Sequence, residues 1–220
     1  MQKFTTPAPV TVVLDVPAGH LRFIAAHRTD TTVEIRPANP AKNRDVKAAQ
    51  QTDVACADGV LRINSPTKNQ FLGPSGAIEV TVQLPVGSHV EARTASAELR
   101  GVGRLGEVTL DSAHGTVKLD ETSGARLTLQ AGDVVLGRLT GPADLRTQKG
   151  DLTVTEATRG TLTLRTEHGD ITVGAARGTS ATLDAGTSYG RVTNTLRNDG
   201  TPALDIHATT SYGDIAARSL

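Results

Sequence analysis

TEHGDITV, residues 166–173, places His168 and Asp170 on either side of Gly169. Taken alone, a histidine and a carboxylate this close could be half of a catalytic or metal site. Read beside the rest of the chain, the stretch is one copy of a repeat. Relatives are TASAELRG (94–101), DSAHGTVKL (111–119), LQAGDVVL (129–136), TQKGDLTV (147–154), TSYGRVTN (187–194) and TSYGDIAA (210–217). Their anchor positions are Ala97, Gly115, Gly132, Gly150, Gly169, Gly190 and Gly213, spaced by 18, 17, 18, 19, 21 and 23 residues.

The columns around the anchor carry the fold. Two residues after it stand Leu99, Val117, Val134, Leu152, Ile171, Val192 and Ile215, all aliphatic. Five and seven before it the residues are again Ala, Val, Leu or Ile, with Thr, Arg, Lys, Asp and Glu between them. This is period-2 alternation on both sides of a glycine turn, the mark of half-buried strands. Recurring glycines and the lack of an i, i+3, i+4 pattern exclude helices from residues 90–220. A register kept over seven copies stacks like on like. It predicts a parallel β-solenoid, a single-stranded β-helix of about seven rungs. At ~4.8 Å per strand, seven rungs stand on the order of 30 Å tall.

Residues 1–89 do not repeat. VTVVLDVP (10–17), LRFIA (21–25), TVEIRP (32–37) and IEVTVQLP (78–85) alternate, and Asp58-Gly59 in CADGVLRI (56–63) signals a hairpin. RDVKAAQQ (44–51) reads as a short helix with Asp45 as N-cap, and SPTKNQFLGPSG (65–76) as a loop. We expect an N-terminal β-sandwich-like cap over 1–89, continuous with the solenoid over 90–220. A cap is needed because an open end leaves backbone unpaired.

Copies of TS-x-G-D-[IV]-x-[VA] that follow IEVTVQLPVGSHVEART (78–94) resemble the bacterial β-strand-repeat family of candidate adhesins, a family of unknown function. The resemblance spans roughly residues 10–217. It implies the repeat fold and an adhesin-like role, and it carries no catalytic residue over to this chain.

Composition narrows the function classes. Lys plus Arg and Asp plus Glu number 23 each, which removes the basic excess of a nucleic-acid binder. No run approaches the ~18 apolar residues of a membrane span. With three Phe, two Tyr and no Trp, a groove of stacked rings for nucleic acid is not expected. MQKFTTPAPVTVVLDVPAGH (1–20) reads as a strand and not as a signal peptide. Together with a single Cys56, taken as a buried and inert thiol, this sets the expectation of a cytoplasmic protein. The alternative is the cell surface, by a route not visible in the sequence.

The chemistry-bearing columns read as turn chemistry. The position before the anchor holds Ser96, His114, Ala131, Lys149, His168, Tyr189 and Tyr212, a mixture expected of a solvated turn. His114 and His168, about 14 Å apart at ~4.8 Å per rung, cannot share a metal. The position after it includes Asp133, Asp151 and Asp170 on consecutive rungs. Calcium takes such oxygens. The G-G-x-G-x-D pattern of calcium β-rolls is absent, however, so the Asp column is read as a turn and no cofactor is expected. The Thr column (Thr147, Thr166, Thr187, Thr210) is read as hydroxyls bonding along the stack, in preference to an ice- or glycan-facing array. Tyr189 and Tyr212, on adjacent rungs, are expected to stack.

No H-E-x-x-H or phosphate-loop motif is present; GTSYG (186–190) fits G-x-S-x-G as text but has no helix after it to make a nucleophile elbow, and GVGRLG (101–106) has none either. The prediction is a non-enzymatic interaction or assembly module. Its partner would be another protein or a second copy, met through an uncapped C-terminal edge from Leu204 to Leu220. Tyr189, Tyr212, Asp133, Asp151 and Asp170 form the candidate surface. An adhesin-like surface or carbohydrate-binding protein is the alternative.

Overall fold

Alternation along the chain becomes strand after strand. The computed structural model describes residues 1–66 and 76–220; the loop expected over 65–76 falls largely outside them. The strands are β1 (Gln2–Thr5), β2 (Thr11–Asp15), β3 (Ala18–Ala26), β4 (Asp30–Pro37), β5 (Asp53–Ala57), β6 (Val60–Asn64) and β7 (Ile78–Pro85). Next come the long β8 (His89–His114) and β9 (Val117–Ala131), then β10 (Val134–Leu139), β11 (Ala143–Arg146), β12 (Leu152–Ala157), β13 (Gly160–Arg165) and β14 (Ile171–Ala175). The last four are β15 (Ala181–Tyr189), β16 (Val192–Thr195), β17 (Leu204–Tyr212) and β18 (Ile215–Ser219). One helix, α1 (Asn43–Gln51), lies between β4 and β5. The protein is all-β, and every strand among the described residues belongs to one open 18-stranded sheet.

From β8 onward the repeats lie over one another in parallel. Val117 pairs with Leu99 and Val134, Leu152 with Val134 and Ile171, and Ile171 with Ile215. Leu110, Leu127, Leu145 and Leu164 form the matching row before the turn. The aliphatic columns read from sequence are therefore physical columns. They fill one continuous core in which Val134, Leu136, Leu145, Leu152, Leu162 and Leu164 are fully buried. Burying a side chain of this size contributes about 1.5–3 kcal/mol, and the columns repeat that gain at each turn.

The stack does not follow sequence order at its ends. At the N-terminal end β2 and β3 pair in parallel with β8 on one side, and with β6 and β7 on the other. Residues 11–26 thus continue the parallel stack. The sandwich-like arrangement expected of them gives way, because Val12, Leu14, Leu21 and Phe23 fill the same core columns as the repeats. Outside β6 and β7 the pairing turns antiparallel: β4 on β7, β1 on β4, and β5 on β6. The β5–β6 turn is the expected hairpin, with Asp58 and Gly59 at φ 52° and 75°.

At the C-terminal end β17 and β18 lie against β13 and β14, and β15 and β16 lie outside them. The expectation that Leu204–Leu220 forms the free edge is therefore corrected. Leu204, Ile206, Ala208, Ile215 and Ala217 are buried, and the edge is Ala181–Thr195. The reason lies in the columns. Val192, Thr193, Asn194 and Thr195 supply only one aliphatic residue, so this turn gains least from burial on both sides.

Two local expectations also change. The N-cap of α1 is Lys42, without a side-chain cap; buried Asp45 in the first turn instead accepts the Ala77 N–H at 3.1 Å. Cys56 lies half-buried on the outer strand β5, where partial burial pushes its thiol pKa up.

Candidate functional site

The corner at the anchor glycines is built by the same contacts turn after turn. Its glycines are required by space. A Cβ on Gly132 would stand 1.7 Å from the carbonyl oxygen of Gly115, and one on Gly169 would stand 2.1 Å from that of Gly150. Their φ values, 144° and 154°, lie in a region that L side chains rarely adopt.

Each corner is stitched to the next by side chains. Asp133 Oδ1 accepts the N–H of Asp151 at 2.9 Å, and Asp151 Oδ1 that of Asp170 at 2.8 Å. Asp170 Oδ1 accepts from Asp214 at 2.7 Å, and Asp214 Oδ1 from Arg191 at 2.9 Å. The Asp column is therefore a ladder that extends the hydrogen bonding of the sheet around the corner. Bonds from a charged acceptor are stronger than neutral ones, and they offset the repulsion between neighbouring carboxylates. The Thr column works in the same place. Thr166 Oγ1 donates to Gly150 O at 3.1 Å, Thr210 to Gly169 O at 3.0 Å and Thr187 to Gly213 O at 3.0 Å. Among the described residues no group of three or more His, Cys, Asp or Glu side chains is arranged to hold a metal ion.

The position before the glycine becomes aromatic at the C-terminal end. The rings of His168 and Tyr212 stack at 4.9 Å and 9°, and those of Tyr212 and Tyr189 at 4.8 Å and 3°. The spacing lies within the range preferred by stacked rings and is that of neighbouring strands. Tyr189 ends the series and is 67% exposed. The structure thus brings Tyr189 and Tyr212 together, and joins Asp133, Asp151 and Asp170 in one ladder at the same corner.

Three participants were not singled out from sequence: Asp214 and Arg191 prolong the ladder, and β15–β16 form the edge. His168, read as a solvated turn residue, joins the rings instead. The signal for the edge was available in the polar residues of 192–195. Along it Leu183, Ala185 and Leu196 are only partly buried against the core, and Val192 is 45% exposed. Their columns elsewhere in the stack are closed. The end of the core is therefore open between β15 and β16, and no other described strand pairs with either on the outer side.

Comparison with known proteins agrees with this architecture. The family model described as Toastrack DUF4097 matches residues 11–219. A crystal structure of a candidate adhesin from Bacteroides fragilis superposes with a TM-score of 0.57 at 15% identity, covering 98% of this chain and 95% of that one. A candidate lipid-binding protein from Parabacteroides distasonis gives a TM-score of 0.46 at 10% identity, over 98% and 95% of the two chains. No curated protein matches the chain significantly. Among the described residues no helix is long and apolar enough to cross a membrane.

Proposed function

The chain belongs to the Toastrack DUF4097 family, and from that membership we propose that it is a non-enzymatic interaction module whose working surface is the open end of the stack at β15–β16. In this reading the parallel turns form a β-solenoid, with about seven repeats in residues 90–220, the body that carries the binding end; within residues 1–89 the antiparallel strands β1, β4 and β5 serve as its cap. The observation that carries the reading is the asymmetry of the ends. One end adds antiparallel strands outside its last parallel turn and ends on β1 and β5; the other ends directly on the parallel β15 and β16, with Leu183 and Ala185 only partly buried and Val192 exposed. Unpaired strand edges are templates for added strands, and natural sheets usually blunt them.

The test is position-dependent photocrosslinking in cells. A photoreactive residue at Thr193, on the end, is expected to form a discrete protein adduct. The same group at Thr153, in the same outward column at mid-stack, is expected to form none. Equal adducts from both positions, or none from Thr193, would overturn the reading.

A second reading rests on the open ring face of Tyr189. An exposed tyrosine face can stack on a sugar ring, which suits the adhesin-like alternative. A glycan array that binds the protein and fails to bind Tyr189→Ala would favour it.

A further inference from the structure

The occupant of the open end can be argued from hydrogen-bond direction and side-chain parity. In the arm before the corner, Thr147 N–H points toward the C-terminal end of the stack and bonds Arg165 O, and Thr166 N–H likewise bonds Thr209 O. In the arm after the corner, Val134, Leu152 and Ile171 donate in the same direction, to Asp151, Asp170 and Asp214, and Ile215 donates to Arg191. In both arms the residues with inward side chains send their N–H groups toward that end. Carried one turn further, the pleat directs the N–H groups of Leu183, Ala185 and Thr187 in β15, and of Val192 and Asn194 in β16, out of the molecule.

Two edges running around one corner need a partner with two strands meeting at a matching corner. A single extended peptide would cover one arm only. A second copy of this chain has the matching geometry. A twofold axis past the Gly190 corner, running parallel to the last turn and about half a strand spacing (~2.4 Å) outside it, lays β15 of one copy antiparallel on β16 of the other, and does so twice.

Antiparallel partners must share both side-chain face and hydrogen-bond direction. Pairing Thr187 with Val192, Ala185 with Asn194 and Leu183 with Leu196 of the second copy meets both conditions. Shifting it by one residue meets neither. In this register the partly buried Leu183 and Leu196 close each other's core. The free face of Tyr189 lies beside the axis, next to Tyr189 of the other copy. The charges on 181–201 are Asp184, Arg191, Arg197 and Asp199, which balance, and Asp184 faces Thr195 with Arg197 diagonal to it. We propose that the open end pairs with a second copy of the chain in this twofold, antiparallel register. The proposal rests on the reading of β15–β16 as the working surface, and adds the identity of its partner.

The register defines a crosslink that only this arrangement allows. Outward-facing Gly186 is opposite Thr193 of the second copy. Within one chain the two belong to different arms of the corner, and a bond between them would leave the chain a monomer, whereas a bond between copies gives a covalent dimer. A Cβ at Gly186 meets nothing within 4 Å, so cysteine fits there. In the chain carrying Cys56→Ser, the double variant Gly186→Cys, Thr193→Cys is expected to give a covalent dimer on mild oxidation, and each single variant is expected to give none.

Sedimentation of the unmodified protein should show a dimer. Val192→Asp should weaken it at least about tenfold, because burying an unpaired carboxylate is costly. A thermal melt of each variant confirms that it is folded. A folded, monodisperse monomer at high concentration, or crosslinking by a single variant as efficient as by the double one, would overturn the proposal. A monomer in vitro together with a Thr193-specific adduct to a different protein in cells would overturn this proposal and leave the broader reading standing. Failure of both experiments would remove both.

Discussion

Beyond β7 at the N-terminal end come the antiparallel β4 and β1, and beyond β6 comes β5; beyond β15 and β16 at the other end no described strand follows. The covering strand β1 is pinned by charge: Lys3 Nζ lies 3.0 Å from Asp30 Oδ2, and Arg28 Nε lies 2.9 Å from Asp30 Oδ1. Yet both ends share a device. At each, the outermost parallel turn is displaced in sequence order, so that β2–β3 and β17–β18 lie inside it. The comparison teaches that the two ends share this stacking order, and that only one of them adds antiparallel strands over its last parallel turn.

The largest effect expected from breaking this comparison is at a corner glycine. Gly169→Ala forces a Cβ against Gly150 O in the middle of the stack, and should cost on the order of 3 kcal/mol in denaturant unfolding. Gly190→Ala meets a similar clash with Gly213 O. It should cost only about 1 kcal/mol, because the outermost turn can loosen by itself. Equal losses would mean that the end turn is as integrated as the middle.

Next in size is a pair in one core column. Ile206→Ala, in the buried turn, should destabilise by about 2–4 kcal/mol. Leu183→Ala, its outer neighbour, should cost about 1 kcal/mol, because that side chain is already partly in water. The reverse ranking would place the edge at 204–219.

Smaller again is the Asp ladder. Asp170→Ala removes the acceptor of the Asp214 N–H and should cost about 1 kcal/mol, with Asp170→Asn largely restoring it.

The smallest effect concerns the covered end. Hydrogen bonds from Arg28 and Lys3 hold the Asp30 carboxyl down at about 2, from 3.8. A lowered folded pKa contributes stability that is fully present above the unfolded value and is lost as pH falls through the folded one. Acid titration should therefore release protection of β1 between about pH 4 and 2, with Asp30→Asn abolishing that dependence.

The repeat made most of this architecture legible. Columns such as Leu99, Val117, Val134, Leu152 and Ile171 identified the rows that now form the core, and the anchors identified the corner. The stacking order of the last two turns was hidden. TSYGRVTN and TSYGDIAA look alike locally, and only the missing aliphatic residues at 193–195 distinguish the outer one. The Asp ladder was hidden for another reason. Within one copy Asp170 looks like a turn residue, whereas its hydrogen-bond partner, Asp214, is 44 positions away. Residues 10–26 lack the glycine repeat, and so their parallel pairing was not visible, although Gly19 stands opposite Ala97 in the anchor column. Proximity to Tyr212 gave His168 a packing role that no single-copy reading could supply.

The central claim is that residues 181–195 form the outermost turn and 204–219 the buried one. Amide hydrogen exchange in dilute solution, where self-pairing is negligible, tests it most directly. The account predicts fast exchange for Leu183, Ala185, Val192 and Asn194. Exchange at Ile206, Ala208, Ile215 and Ala217 should be slower and close to that of β13 and β14. Exchange of 204–219 with or before 181–195 would contradict it.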